Sequence, residues 1–279
     1  MKVFNNGHIT YGRFSLPLGP LALLAIALGV LLWAGSAPAS TTLAASTGAN
    51  LDQCANGPLS VPVGCSASGE WVNGNLGATK AHYLEGESVP YRLRFSNLAA
   101  TESHSVTIEW DTTQGGKHAL DYITSFDQTV RNADPCAGVI SGCSGSPNLF
   151  AISADPNVTA NILPGKKQVA GNFALFGGTI TGVSSYTLSG LYAGNSSART
   201  TITFTTSGPN PVLAWGGHIS TRIDWGQGYS AVAISGSPFH TRLIDLDGSG
   251  GSQDRSLSSD AVIFPGSITI VKHAIPEYP

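Results

Sequence analysis

The sequence contains little charge: Asp, Glu, Lys and Arg together make up 11% of its 279 residues. Such a low content argues against long surface helices and favours short strands joined by tight turns. Gly, Ser and Thr are abundant instead, and apolar residues are frequent and regularly spaced, which excludes a disordered chain. The length is sufficient for one large domain or two small ones with a sizeable core.

Catalytic motifs are also missing. The chain has no zinc-hydrolase motif, no G-x-S-x-G and no P-loop. Six of the seven histidines follow the N-terminal apolar run and lie apart, without H-x-H or H-x-x-x-H spacing, which favours surface or strand-end positions over metal ligands: His82, His104, His118, His218, His240 and His273. Glu109 and Asp111 could serve glycoside hydrolysis in principle, but their spacing alone does not show it. We therefore predict a protein without enzymatic activity.

The N-terminus has the pattern of a secretory signal. Lys2 and Arg13 give a positive n-region, residues 16–35 are apolar, and Ala37-Pro38-Ala39 matches an A-x-A cleavage site. An uncleaved anchor is the alternative, because the apolar run approaches a membrane-spanning length. Gly and Pro within the run favour cleavage. We expect a secreted, extracellular protein that could associate with the cell surface, with membrane contact only through an uncleaved signal.

Removal of a signal peptide over residues 1–39 would leave an acidic protein. It takes away Lys2 and Arg13 from the 14 basic residues and none of the 17 acidic ones, so the net charge changes from −3 to −5. This argues against a nucleic-acid partner, which requires a basic face. Residues 40–53 are small and polar and predict a linker. No internal repeat is present, so we expect one domain over 54–265, followed by an exit strand and tail over 266–279.

Four cysteines follow the signal, and an even number in an exported chain predicts two disulfides. Three pairings are possible. We favour Cys54–Cys65 with Cys136–Cys143, because each pair lies in its own loop rich in Gly, Ser and Pro. Loops of this length would contribute roughly 2–3 kcal/mol each. A metal site is disfavoured, since neither pair has C-x-x-C spacing and no histidine is near.

Apolar residues alternate with polar ones over several short stretches. The period of two is clear in residues 88–96 and 106–111, and it predicts that Trp110 is a core residue. Further short strands are separated by glycine-containing turns, one of them predicted at Gly216-Gly217. This spacing predicts an all-β fold, a single β-sandwich or jelly-roll domain whose loops are closed by disulfides.

The densest polar pattern begins at Asp245. Asp245, Asp247 and Ser249 occupy alternate positions and Gly250 follows, as in the first half of an oxygen-ligand calcium loop. Ser256 stands where an EF-hand has a bidentate glutamate, and no helix is predicted on either side, so an EF-hand is excluded. A metal-free polar turn is the alternative to a structural calcium site. The predicted calcium ligands are Asp245, Asp247, Ser249, Gly251 and Asp254.

Two tryptophans and a tyrosine lie beside glycines, in the strings W-G-G-H from Trp215 and W-G-Q-G-Y from Trp225 to Tyr229. Glycine lets a backbone approach another surface closely. One interpretation is a platform for sugar rings formed by Trp215, Trp225 and Tyr229. The other, which we favour, is that the aromatic rings cap the ends of a sandwich core.

Four longer strings, at residues 85–92, 107–126, 212–219 and 235–257, carry a family resemblance. They resemble bacterial secreted proteins, largely uncharacterised, in which an N-terminal β-domain precedes prealbumin-like modules of the collagen-adhesin B-repeat type. The resemblance covers about residues 52–272. It implies an extracellular role in adhesion or matrix building, with a matrix protein or surface glycan as partner, and it provides no enzymatic residues.

The sequence therefore predicts a secreted structural or adhesion protein, stabilised by calcium and without catalytic activity. The alternative is a carbohydrate-binding module that uses exposed aromatic residues, and a glycan-cleaving enzyme is less favoured. In the proteins that this chain resembles, the string found here at residues 265–272 looks like the hinge into the next module. This chain ends at Pro279, before such a module would begin.

Overall fold

The computed structural model describes residues 46–139 and 141–264, which belong to the structural unit Ala45–Pro279. Strands are the main regular elements of the described part. The strands are β1 (Gly48–Cys54), β2 (Trp71–Val72), β3 (Tyr83–Leu84), β4 (Ser88–Ser96), β5 (Ser103–Gln114), β6 (Lys117–His118), β7 (Leu120–Thr124), β8 (Asn148–Ile152), β9 (Gly171–Phe176), β10 (Gly178–Val183), β11 (Thr187–Gly190), β12 (Ser196–Thr206), β13 (Val212–Ile219), β14 (Phe239–Leu246), β15 (Gln253–Leu257) and β16 (Val262–Ile263). Two short helices, α1 (Pro156–Asn161) and α2 (Arg222–Trp225), lie between strands.

Two antiparallel sheets make up the sandwich. Sheet A has the order β2–β1–β4–β13–β9–β8, and β7 also pairs with β13. Sheet B has the order β10–β12–β5–β14–β15, and β11 and β6 extend it beside β12 and β5. β3 and β16 form a separate parallel pair. The all-β, sandwich-type fold with disulfide-closed loops that the sequence predicted is therefore confirmed.

The main core lies between the two sheets and is rich in aromatic side chains. Trp110 of sheet B is 1% exposed, as its position in the alternating pattern predicted. Within sheet A, Tyr91 stacks on Trp215 with 5.8 Å between ring centroids. Between the sheets, Phe95 and Phe204 lie 5.1 Å apart. Rings of this size bury large apolar areas and prefer offset or tilted contacts, so they stabilise the sandwich strongly.

The outer face of sheet A is covered by loops. Phe126 and the Cys136–Cys143 loop pack on a small cluster around Phe176. Near α1 and α2, Val158 and Trp225 pack with Tyr122. The central strands of sheet A, β13 and most of β4, are thus buried on both faces, whereas alternate residues of sheet B place polar side chains on its outer face.

The first strand corrects the predicted linker. Residues 40–53 were expected to lack structure, but Gly48–Cys54 form β1, which pairs with β4 and β2. Leu51 is fully buried in the core. Asp52 accepts hydrogen bonds from Arg92 Nε at 2.9 Å and Arg94 Nε at 2.8 Å. The carboxylate of Asp52 therefore has partners inside the fold.

Gly216 and Gly217 correct the predicted turn, because both lie inside β13. A Cβ at Gly216 would lie 2.4 Å from Ser125 O, and one at Gly217 would lie 2.9 Å from Tyr91 Cε2. These glycines allow close packing of a strand and do not end it. The strand ends at Ile219, and Thr221 Oγ1 then caps α2 by accepting a hydrogen bond from Asp224 N at 3.0 Å.

The disulfides are Cys54–Cys65 and Cys136–Cys143, which confirms the favoured pairing. Two disulfides indicate a non-cytoplasmic protein. In the described part of the chain, no helix has both the length and the apolar character that crossing a membrane requires. The predicted signal peptide over 1–39, and the exit strand and tail predicted over 266–279, lie outside the described residues.

Candidate functional site

An open groove of about 770 Å³ lies at one end of the outer face of sheet B. Its floor comes from β5, β12 and β14. Its walls come from the β5–β6 hairpin, from β11 and from the segment 234–238. Strand register brings these residues together, because Ser197 pairs with Asp111 on one side of β5. Side chains with hydrogen-bonding groups line the groove, including Asp111, Gln114, Lys117, Ser197, His240 and Arg242.

A network of alternating charges crosses four strands at this floor. Arg199 Nη2 lies 2.5 Å from Glu109 Oε2, and Arg242 Nη1 lies 3.3 Å from Glu109 Oε1 and 2.7 Å from Asp111 Oδ1. Arg242 Nε also lies 3.5 Å from Asp254 Oδ2. Burial opposes the charge of Arg242, but hydrogen bonding and attraction to Asp111, with Asp254 and Glu109, raise its pKa. Cross-strand pairs of this kind hold the polar floor in one geometry.

The walls of the groove are fixed by hydrogen bonds to the backbone. Gln114 Nε2 donates to Pro238 O at 2.5 Å, and Lys117 Nζ donates to Ala233 O at 2.5 Å. These two bonds tie the β5–β6 hairpin to the segment on the opposite wall. At the tip of the hairpin, Gly115 N donates to Asn195 Oδ1 at 2.8 Å. The groove is therefore preformed between elements that hold each other in place.

A second concavity of about 550 Å³ adjoins the groove on the other side of the hairpin. Gly115 and Lys117 line both spaces. Tyr229 lines the second concavity and is 58% exposed. Its backbone is anchored on both sides: Tyr229 N donates to Gly226 O at 3.2 Å, and Tyr229 O accepts from His118 N at 2.8 Å. The backbone from which this exposed aromatic side chain projects is thus held at a fixed position beside the groove.

The predicted three-residue sugar platform is wrong for both tryptophans. Trp215 is 0% exposed and lies in the core against Tyr91. Trp225 is 8% exposed and stacks on His118, with 3.4 Å between ring centroids. Both rings pack inside the fold, Trp215 in the main core and Trp225 in the cluster near α1 and α2. Of the three predicted platform residues, Tyr229 is the one that can present its ring to a ligand.

A buried polar cluster supports the segment that carries Tyr229. Asp121 is 1% exposed, and it lies with Oδ1 2.6 Å from His218 Nδ1 and Oδ2 2.8 Å from Trp225 Nε1. Burial lowers the pKa of His118 to about 4, although nearby Asp121 opposes the shift. His118 is therefore a neutral, stacked ring at neutral pH. No local pattern in the sequence indicates this cluster, because its members come from separate elements.

The predicted calcium ligands lie in the turn between β14 and β15 and at the adjoining ends of the two strands, where most of their side chains contact protein groups. Asp245 accepts hydrogen bonds from Gly248 N and Gly250 N, both at 2.8 Å. Asp247 Oδ1 accepts from Ser105 N at 2.7 Å, and its Oδ2 lies 2.7 Å from His104 Nδ1. These contacts close a turn and attach it to β5.

The remaining predicted ligands are Ser249 and Gly251 inside the turn and Asp254 beyond it. Ser249 Oγ donates to Leu246 O at 2.6 Å, and Gly251 adopts a positive φ of 127°. Asp254 lies on β15, with Oδ1 2.6 Å from His240 Nδ1. Over residues 46–139 and 141–264, no group of three or more His, Cys, Asp or Glu side chains is arranged to hold a metal ion. Calcium at this turn stays a prediction.

Comparisons of the chain with protein-family models, with curated proteins and with solved structures found no match. The fold and the site define a class nonetheless: a non-cytoplasmic, disulfide-containing β-sandwich with an open polar groove on one sheet. The chemistry of that groove is the basis for a functional proposal.

Proposed function

We propose that the chain is an exported binding module of the adhesion type, which recognises a glycan in the groove on sheet B and performs no catalysis. The observation that carries this proposal is the composition and rigidity of the groove. Its lining offers donors such as Lys117 and Arg242 and acceptors such as Asp111, and these are positioned by strand register and ion pairs. A ligand rich in hydroxyl groups needs such an array of fixed donors and acceptors.

Three further features support an extracellular adhesion role. The N-terminal pattern is typical of an export signal. The two disulfides fit an oxidising compartment. The strings at 85–92 and 235–257 resemble those of secreted proteins in which an N-terminal β-domain precedes adhesin-type modules. The groove then supplies what an adhesion module requires, which is a surface that can hold a ligand without changing it.

Binding of the purified protein, residues 40–279, to arrays of glycans and of matrix proteins would test the proposal. We expect capture of glycans. Ser197→Tyr should abolish capture, because Ser197 lines the groove and a tyrosine side chain there would fill it. Thr201→Tyr is the matched control, since Thr201 lies on the same strand and the same outer face but outside the groove.

Four outcomes would contradict the proposal. Capture of no glycan would remove the ligand class. Equal capture by wild type and Ser197→Tyr, with both folded by circular dichroism, would place the binding surface elsewhere. Release of shortened products from a bound glycan, detected by mass spectrometry, would show catalysis. Capture of matrix proteins alone, unchanged in Ser197→Tyr, would assign adhesion to another surface.

A further inference from the structure

We propose that the groove and the Tyr229 concavity form one continuous site for an acidic glycan. In this site Lys117 binds a carboxylate of the sugar chain, and Tyr229 packs against a neighbouring ring. The inference rests on the proposed function of the groove and specifies the class of glycan that the groove selects.

The two spaces are continuous across the tip of the β5–β6 hairpin, because the two residues of the tip have no side chain. The tip of the hairpin is Gly115-Gly116, with φ values of 57° and 77°. A Cβ at Gly115 would have nothing within 4 Å, so this residue faces open space. Gly116 N donates to Gly194 O at 2.8 Å, which keeps the tip low against the neighbouring turn. A chain-like ligand can therefore cross the tip from one space to the other.

Lys117 supplies a positive charge where the two spaces meet. Its ammonium group donates to the carbonyl oxygen of Ala233, and no carboxylate pairs with it among the described residues. Arg199 and Arg242, by contrast, are paired with acidic side chains on the floor. An ammonium group has three donors, so Lys117 retains donors for a ligand. A carboxylate is the partner that makes the strongest hydrogen bond to it.

Tyr229 provides the complementary apolar contact on the far side of the hairpin. Its ring is exposed, while its backbone is fixed by Gly226 and His118. A side chain at Gly226 would lie 3.9 Å from Tyr229 Cδ2, so the glycine leaves that side of the ring uncovered. A tyrosine held in this way offers a flat apolar face with a polar tip, which suits a sugar ring.

The net charge of the chain indicates that a positive group within the site, and not the molecule as a whole, would attract an acidic ligand. The whole chain has a formal net charge of −3, so it does not attract polyanions in general. The acidic side chains of the floor network, Glu109, Asp111 and Asp254, are paired with Arg199, Arg242 and His240. Lys117 is therefore the charged group at the junction that has no ion-pair partner among the described residues.

The test is calorimetric titration of residues 40–279 with short oligogalacturonates, hyaluronan oligosaccharides and sialyllactose. Each probe has a matched neutral partner, its methyl ester or its carboxyl-reduced form. We expect at least one acidic probe to bind about tenfold more tightly than its neutral partner, since one hydrogen bond becomes charge-assisted. Lys117→Met should abolish this difference, because it should weaken binding of the acidic probe more than binding of its neutral partner, and Lys117→Arg should retain the difference. Tyr229→Ala should weaken both forms alike, whereas Tyr229→Phe should not.

The possible failures are distinguishable. Equal binding of acidic and neutral probes by wild type would overturn this inference and leave the proposed glycan function intact. If no probe in this panel binds but neutral glycans are captured on the array, this inference is likewise overturned and the proposed glycan function remains. No glycan binding in either assay would remove both proposals. An acid preference that persists in a folded Lys117→Met variant would place the carboxylate elsewhere and overturn the assignment of Lys117.

Discussion

His104 is held between two hydrogen-bond acceptors. Its Nδ1 lies 2.7 Å from Asp247 Oδ2, and its Nε2 lies 2.8 Å from Ala99 O. Both contacts need a ring N–H, so the geometry selects the imidazolium form. Burial alone would lower the pKa of His104, but the Ala99 carbonyl and Asp247, with Glu102, outweigh it and raise the pKa above its ordinary value. The residue is a buried cation that fastens the β14–β15 turn to β5.

The stability contributed by His104 should therefore depend on pH. Because the folded-state pKa is raised, the contribution is complete below the unfolded value of about 6.5 and is lost as the pH rises through the folded value. We expect His104→Gln to lower the free energy of unfolding more at pH 5.5 than at pH 9, as measured by urea denaturation. Asp247→Asn should remove the same pH dependence. A difference between wild type and variant that is constant over this range would mean that His104 contributes only packing.

His118 should produce the opposite dependence. Its pKa is lowered to about 4 mainly by burial, and its Nδ1 has no partner that could stabilise an added proton. The unfolded chain takes up that proton near pH 6.5, so wild type should lose on the order of 2–3 kcal/mol as the pH falls from about 6.5 to about 4. His118→Phe keeps a ring against Trp225 and removes the titration. We expect a flatter stability profile for it over this acid range, and an equally steep profile would contradict the assignment.

At the scale of the element, β1 is an edge region whose backbone is satisfied by side chains of the other sheet. Gln253 Oε1 accepts from Leu51 N at 2.8 Å, and Gln253 Nε2 donates to Ala49 O. Arg255 Nε donates to Leu51 O at 2.5 Å. These side chains stand where another strand would otherwise bind, so they protect the edge and join sheet A to β15 of sheet B.

Gln253→Ala should destabilise the fold through this contact. It would leave one N–H and one C=O of β1 without partners in a half-buried position, a loss of about 1–3 kcal/mol. Gln253→Glu keeps the acceptor for Leu51 and loses the donor for Ala49, so it should fall between wild type and Gln253→Ala. Chemical denaturation measures all three. Equal stability of wild type and Gln253→Ala would show that water replaces the side chain without loss.

The calcium prediction is tested at the β14–β15 turn. Calcium would have to compete with the backbone N–H groups bound to Asp245 and with His104 on Asp247. A dissociation constant of about 1 mM would still give roughly 1.4 kcal/mol at about 10 mM calcium, or a rise in melting temperature of about 3–6 °C. The expected rise should be absent in Asp247→Asn and retained in Asp260→Asn, an exposed acid outside the turn. No rise in wild type would assign the loop as a hydrogen-bonded turn without metal.

At the scale of the whole molecule, local patterns in the sequence predicted the architecture well. The period of two placed Trp110 in the core, and cysteines in separate short loops gave the correct disulfides. Predictions failed where a residue's meaning depends on distant neighbours. Asp52 was predicted to lie in a linker, because its partners Arg92 and Arg94 are distant in the sequence and reach it only in the folded structure. The candidate groove was missed for the same reason, because strand register assembles it from segments far apart in the chain.

The edge of sheet A at β8 leads to a prediction about assembly. Within the described residues, β8 pairs with β9 alone, and its sequence N-L-F-A-I has no charge or proline. Leu149 on this strand is 59% exposed. An uncharged, unpaired edge is a template for a strand of another molecule, and natural proteins commonly block such edges with lysine. Unlike β1, this edge exposes an apolar side chain to solvent.

We therefore expect the purified protein to self-associate as its concentration rises, and Leu149→Lys to remain monomeric. Size-exclusion chromatography with light scattering measures both. Leu191→Lys is the matched control, because Leu191 is 74% exposed and lies outside β8, so this change adds the same charge without altering the edge. A wild type that stays monomeric at every concentration would contradict the prediction. An equal effect of Leu191→Lys would mean that net charge, and not β8, governs association.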